Sequence, residues 1–431
     1  MNNSRDESSL ERPIGIDLFA GAGGLSLGFE QSGFDVVAAV EIDPIHCATH
    51  EYNFPHSVPI CASVVDLTGA AIRQRAGLLG QDIDVVFGGA PCQGFSMIGK
   101  RAFDDPRNQL VFHYVRLVQE LNPKYCVFEN VKGLTLGKHA EFLEELIAAL
   151  GHIGYRVLVP YQVLNAADFG VPQDRRRLFL MAARADQALP QYPVPSPMRT
   201  TVWDAIGDLP DADGFAELEQ VDAVKAKWAT KALYAKRLRG TASDPQDFSH
   251  ARRIDTNWLT ASLRTRHTDV SKQRFMETEH GQTEPISRFR KLPPAGLCNT
   301  LRAGTDSARG AFTSPRPIHP FLPRVITVRE AARLHSYPDW FRFHATKWHG
   351  FRQIGNSVPP LLGRAVAASV MQALGGAAVK PQHVREPGLK TLLTCDMRQA
   401  AAYFEVRRDV IAQRTRKPPQ VDAPELLRRA A

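Results

Sequence analysis

Residues 13–183 alternate between two hydrophobic periods. Ile14–Leu18, Val36–Val40, Ile83–Phe87 and Tyr125–Phe128 are short apolar runs, each closed by a turn signal or a polar residue. That is the pattern of strands buried on both faces. Helical spacings lie between them. Phe142, Leu146 and Leu150 recur every fourth position, and Gly151 is expected to end that helix. Ser63-Val64-Val65 predicts a further strand closed by Asp66. Such alternation predicts an α/β fold on a doubly wound, mostly parallel sheet, with ligands at the strand carboxyl ends. The pattern stops near Leu189. The stretch LPQYPVPSPMRT holds four prolines and cannot continue a helix or a central strand. From there to about Pro323 periodicity is poor, which predicts a smaller, loop-rich second domain. Helical spacing returns in Val328–Leu334 and Leu361–Leu374. Beyond Gly376 a polar linker leads to a basic helix predicted through Tyr403–Gln413.

Composition narrows the class. With 44% hydrophobic and 23% charged residues in 431, the chain is neither disordered nor a disulfide scaffold. No run reaches the ~18 apolar residues of a membrane span. The polar start MNNSRDESSLER does not resemble a secretory signal, and residues 1–12 are expected to be flexible. Six cysteines without a CxxC pair suit a reducing cytosol, so a cytoplasmic location is expected. The net charge of +8 suits a polyanionic partner. Arg252, Arg253, Arg264, Arg266, Lys272 and Arg274, against only Asp255 and Asp269 in that stretch, predict a positive face on the second domain.

Candidate chemistry sits at the predicted strand ends. Asp17-Leu18-Phe19-Ala20-Gly21-Ala22-Gly23-Gly24 follows the first strand and opens a helix. Its glycines let backbone approach a ligand closely. Glu41 ends the second strand, where an acid can accept from ribose hydroxyls, and Asp66 could accept from an adenine amino group. The fourth strand runs into Gly88-Gly89-Ala90-Pro91-Cys92-Gln93-Gly94-Phe95-Ser96, a loop of the kind that carries an activated thiol. The next strand ends in Phe128-Glu129-Asn130-Val131, placing an acid in the same crevice. A thiolate beside a proton donor suits attack on an electron-poor ring. His46-Cys47-Ala48-Thr49-His50 has a metal-ligand spacing, but is read as a helix surface.

DLFAGAGG, GGAPCQGFS, ENV, QDRRR, RVITVREAARL and QIGNSVPP, in this order and spacing, resemble the C5-cytosine-specific DNA methyltransferase family of bacterial restriction-modification systems. The resemblance implies a Rossmann-like domain dependent on S-adenosylmethionine, formed by residues 13–188 plus 352–376. It implies a target-recognition domain with its hinge over 189–351, braced by Arg324–Leu334. S-adenosylmethionine, converted to S-adenosylhomocysteine, would lie against Asp17, Phe19, Gly21, Gly23, Glu41, Ile42, Asp66, Leu67, Pro91, Leu110, Asn356, Ser357 and Val358. Ile42 stands where relatives often carry an aromatic residue. Cys92 matches the nucleophile that attacks cytosine C6, and Glu129 the acid at N3 and the exocyclic amine. Arg177 matches a residue facing cytosine O2. Arg175, two positions earlier in a strand, would share its face. The cytosine must flip out of the duplex for this chemistry. The segment from Gln93 to about Leu110 resembles the loop that closes over it, with Gln93, Ser96, Lys100, Arg101 and Arg107 as DNA contacts. Thr300, in the Thr-Leu element, would lie near the target base. No metal is implied.

The expected reaction is therefore methyl transfer to C5 of cytosine in a short site of double-stranded DNA, by an enzyme acting as a monomer on nucleoid DNA. A solitary regulatory methyltransferase would share this chemistry. A tRNA methyltransferase would carry Cys-Phe-Thr where Cys298 is followed by Asn-Thr. A non-catalytic DNA binder would not need Cys92, Glu129 and Arg177, and a nicotinamide dehydrogenase leaves the cysteine loop unexplained. Residues 377–431 are left open between an oligomer contact, extra DNA grip and a host-specific appendage.

Overall fold

A computed structural model describes residues 12–91, 109–253, 255–304 and 316–411. Its centre is an eight-stranded sheet. The strands are β1 (Ile14–Leu18), β2 (Asp35–Glu41), β3 (Val58–Cys61), β4 (Val85–Gly88), β5 (Tyr125–Val131), β6 (Tyr155–Val157), β7 (Gln162–Asn165) and, beyond the two-residue β8 (Gln173–Asp174), β9 (Arg176–Arg184). The order is β3-β2-β1-β4-β5-β9-β6, with β7 also on β9. The first five strands run parallel. β9 is antiparallel to β5, and β6 and β7 are antiparallel to β9. The sheet is thus parallel where the glycine and cysteine loops leave it and antiparallel beyond β5.

Strand alternation distributes side chains to two cores. Val86, Cys126 and Phe128 face one side, against α4 (below) and its neighbours. Val85, Phe87, Tyr125 and Val127 face the other. The helices are α1 (Gly24–Gln31), α2 (Pro44–Asn53), α3 (Gly69–Arg75), α4 (Gln109–Leu121), α5 (Lys138–His152), α6 (Val202–Ile206), α7 (Leu233–Arg239), α8 (Asp269–Glu277), α9 (Val328–Leu334), α10 (Lys347–Asn356), α11 (Pro360–Ala373) and α12 (Met397–Tyr403). α11, far along the chain, returns to the sheet beside α1. A Cβ on Gly28 would lie 2.7 Å from the backbone of Gly363 and Arg364, so a side chain there would part the two helices.

Several expectations need correction. The third strand is Val58–Cys61, and Ser63–Asp66 forms the turn after it. α5 runs through Gly151, and the reversal falls at Gly154, with φ 89°. His46, Cys47 and His50 are buried rather than on a helix surface: Cys47 Sγ donates to Glu41 O at 3.3 Å and His50 Nε2 lies 3.1 Å from Ser26 Oγ, while the C-terminal extension packs on Ala48 and Tyr52 of the same helix. The helix of that extension is Met397–Tyr403, so it ends where a helix was expected to continue. The predicted positive face is paired with acids, all but Asp269 from outside the stretch that carries it. Arg252 pairs with Glu30, Arg253 with Glu386, Arg264 with Asp213 and Glu219, Arg266 with Glu219, Lys272 with Asp269, and Arg274 with Glu284.

The loop-rich region packs into a third core containing Val202, Ile206, Leu292, Leu301, Ile326 and Val328, joined by Leu27 and Phe54 from beside the sheet. α9 opens with a capping box between Thr327 and Glu330. Its Arg333, wholly buried, pairs with Asp208 and with Asp339 at 2.7 Å. The chain position between 351 and 352, the expected domain limit, falls inside α10.

A candidate active site at the strand carboxyl ends

The carboxyl ends of β1, β2, β4 and β5 open onto a cavity of about 730 Å³, within the ~300–1,000 Å³ usual for small-molecule sites. The β1–α1 loop forms its floor. Phe19 holds φ 64° and Gly21 φ 56°, a left-handed backbone that is rare for a residue such as Phe and concentrates at functional sites. Glu41 fixes this loop: its Oε2 accepts from Gly21 N at 2.8 Å and its Oε1 from Asp43 N at 2.9 Å. A carboxylate has further acceptor capacity, and Glu41 lines the cavity. Asp17, 1% exposed, accepts from Ser26 Oγ at 2.6 Å. Burial pushes its carboxyl up to about 8; the Ser26 bond opposes the shift and nearby Glu41 adds to it. Ile42, at the same wall, is 37% exposed.

The second half of the cavity is built by β5 and β9. Register pairs Val131 with Arg177 and Glu129 with Phe179, and Arg177 Nε meets Glu129 Oε1 at 2.9 Å, both side chains 13% exposed. Burial raises the Glu129 carboxyl above the ordinary range, although Arg177 and Arg175 pull against it. Gly89 makes room for this acid, since a Cβ there would lie 2.4 Å from Glu129 Oε2. Arg175 is not in a continuous strand with Arg177; it occupies the break between β8 and β9. Its guanidinium donates to Leu301 O at 2.7 Å and to Gly355 O and Ser357 O at 2.8 Å. Arg175 therefore joins three segments of cavity wall. Thr300 lines the same cavity and donates to Asp174 O at 2.7 Å.

The structure thus brings Asp17, Phe19, Gly21, Glu41, Ile42, Pro91, Leu110, Glu129, Arg175, Arg177, Thr300, Asn356, Ser357 and Val358 into one wall. Gly23, Asp66 and Leu67 are not part of that lining. Gly23 shapes the loop instead, with φ 97° and Phe54 packed where a Cβ would go. Asp66 is exposed and Leu67 buried in the turn after β3, where Ala62, Ser63 and Val64 line the cavity. Cys92, Gln93, Ser96, Lys100, Arg101 and Arg107 lie outside the described residues. His46 lines the cavity and, among the described residues, belongs to no metal-ligand grouping. Among the described residues the ligand-type grouping is Glu30, His56 and His250, where both Glu30 oxygens already accept from Arg252.

Other site residues carried no decisive sequence signal. Asn130, inside the ENV segment, donates from Nδ2 to Ala90 O at 3.1 Å and so fixes the backbone leading to Pro91. Gln173, wholly buried, accepts from Leu301 N and donates to Leu334 O. Arg302, Ala303 and Arg352 line the cavity, as do Val410 and Ile411 of the C-terminal extension.

Two carboxylates against a glycine loop at one end, and a buried acid beside arginine at the other, suit a nucleoside ligand next to a ring-protonation site. The chain matches the family model for C-5 cytosine-specific DNA methylase over residues 15–372. It belongs to that family. It is similar to the Type II methyltransferase M.XorII of Xanthomonas oryzae pv. oryzae, 64% identical over 94% of this chain and 96% of the relative. It is also similar to the Type II methyltransferase M.AgeI of Thalassovita gelatinovora, at 32% identity over 83% of this chain and 99% of that one. A solved structure of a prophage-encoded E. coli protein, assigned there as a DNA modification methyltransferase, matches with a TM-score of 0.71 at 35% identity over 84% of this chain and 99% of its own. This methylase is thus a cytosine-C5 DNA methyltransferase with a Rossmann-like α/β core; S-adenosylmethionine is its family's methyl donor and DNA its substrate. Among the described residues no helix is long and apolar enough to cross a membrane.

Proposed function

We propose that this methylase modifies one cytosine within a short double-stranded site, as the modification half of a restriction-modification system. The 64% identity to a Type II methyltransferase supports that biological setting. The observation that carries the site assignment is Glu129: a buried acid, raised by burial, facing the same cavity as Glu41 and the glycine loop.

The β1–α1 loop, Glu41, Ile42 and the Asn356–Val358 turn fit the cofactor, with Glu41 accepting from the ribose hydroxyls. When bound, S-adenosylmethionine supplies an electrophilic methyl group on its sulfonium. The chain does the rest. Cys92, peptide-bonded to Pro91 of the cavity wall, adds as thiolate to cytosine C6. Glu129 holds a proton at N3 as that bond forms and accepts a hydrogen bond from the exocyclic amine. Once C5 has taken the methyl group, loss of the C5 proton and expulsion of the Cys92 thiolate from C6 restore the aromatic ring. Arg177 orients Glu129 and faces O2, while Arg175 positions the wall rather than touching the base. A duplex cytosine must leave its stack to reach these groups. Residues 189–351 select the site, and Thr300 carries that region to the cavity.

Bisulfite sequencing of plasmid DNA from cells expressing wild type or Cys92→Ala tests this reading. Protected cytosines in one short motif with the wild type alone are expected. Methylation retained by Cys92→Ala would remove the nucleophile assignment, and no protected motif at all would turn the test to labelled methyl transfer onto tRNA.

A further inference from the structure

Val410 and Ile411 lie beyond the end of the family match at residue 372, yet both line the cavity and both are half-buried. They arrive on a fixed path. Val384–Arg385 pairs in parallel with Ala251–Arg252. Gly388 N then bonds Tyr52 O at 2.8 Å. Leu392 and Leu393 pack with Ala48 and Tyr52 of α2. Further on, Cys395 O accepts from His344 at 3.1 Å, and Tyr403 Oη donates to Glu51 Oε1 at 2.6 Å. From Tyr403, seven residues can span at most ~23 Å. Glu51 and the α2 N-cap Asp43 are only ~12 Å apart along the helix axis. Asp43 and His46 both line the cavity. From Gly388 to Tyr403 the extension therefore stays against the carboxyl half of α2, and by Val410 it has reached the cavity, whose lining also includes Glu41, Asp43 and the half-open Ile42.

We infer that the C-terminal extension is part of the cofactor site, with Val410 and Ile411 forming an aliphatic cover, together with Ile42, over the adenosine portion of the ligand. This rests on the cofactor reading of the cavity given above. The chemistry is complementary: Glu41 offers acceptors to a ribose, whereas a flat purine face needs an apolar surface, and Ile42, half-open just after β2, offers part of one.

The test is titration calorimetry with S-adenosylhomocysteine, using the full-length chain and the double variant Val410→Ser/Ile411→Ser. Both side chains are half-exposed, so serine is tolerated by the fold. Removing one buried aliphatic face's worth of contact is expected to weaken S-adenosylhomocysteine roughly fivefold, about 1 kcal/mol, with the Kd for a DNA duplex unchanged. Equal ligand affinity in variant and wild type overturns the inference alone. Tighter binding by the variant also overturns it, since the extension would then compete for the site. A wild type that does not bind S-adenosylhomocysteine removes the cofactor reading itself, and the inference with it.

Discussion

Glu129 stands where a side chain on Gly89 would be, so two residues far apart in sequence set one proton. Glu129→Gln keeps the volume and loses the proton. General acid catalysis contributes about 10²–10⁴-fold, so kcat is expected to fall at least ~100-fold while a gel-shift Kd for DNA holds. A variant keeping most of its single-turnover rate would refute the role. Asp17 gives a different readout. Its folded carboxyl is raised to about 8 from an ordinary 3.8, so the folded state binds a proton that the unfolded chain has already lost. That contribution to stability is full below pH about 4 and is lost as pH rises towards 8. Asp17→Asn, which can still accept from Ser26, is expected to flatten the decline in Tm between pH 5 and 8. An unchanged slope in thermal melts would show that Asp17 does not hold that proton.

Elements decide how the cavity wall is held. Arg175, in the break between β8 and β9, donates to carbonyls of three later residues. Arg175→Lys keeps the charge but cannot bridge them all, because one ammonium lacks the planar fork. The lost bonds are worth ~1 kcal/mol each, so an unfolding free energy lower by about 2 kcal/mol is expected, with a raised KM for S-adenosylmethionine. An unchanged KM would confine Arg175 to fold stability. The strand-end residues Glu41 and Glu129 were legible in the sequence, because strand-end positions and residue type together determine what faces the crevice, whereas Arg177 followed from the family resemblance of its motif. Arg175 was misplaced because a break between β8 and β9 has no signature in Gln-Asp-Arg-Arg-Arg. Asp66 was put at a strand end because Val64 and Val65 are β-branched, although the chain had already left the sheet at Cys61. Asn130 and Gln173 could not be found by type alone: their partners, Ala90 O and the Leu301 backbone, are set by tertiary contact.

For the whole molecule, the same limit explains the neutralised basic face. Arg252 looked like a free surface cation until Glu30, 222 positions away, was seen to accept from both its terminal nitrogens. Burial alone would raise the Glu30 carboxyl, but the Arg252 guanidinium wins and holds it down to about 2. This pair joins α1 of the catalytic sheet to the second region, beside His250 N bonded to Glu30 Oε1 at 2.9 Å. It bears on the experiment that assigns specificity. Grafting residues 190–323 from a relative with another target is expected to move the methylated site. A graft lacking an arginine at the Arg252 position leaves Glu30 buried and unpaired, at about 3–5 kcal/mol, enough to unfold many domains before specificity can be read. Two grafts separate these effects, one with the relative's own residue at the Arg252 position and one with Arg252 restored. Methylation mapping should find the new site with the restored graft, and melting should show the other less stable. A restored graft that is folded and active but still marks the original site would place target selection outside residues 190–323.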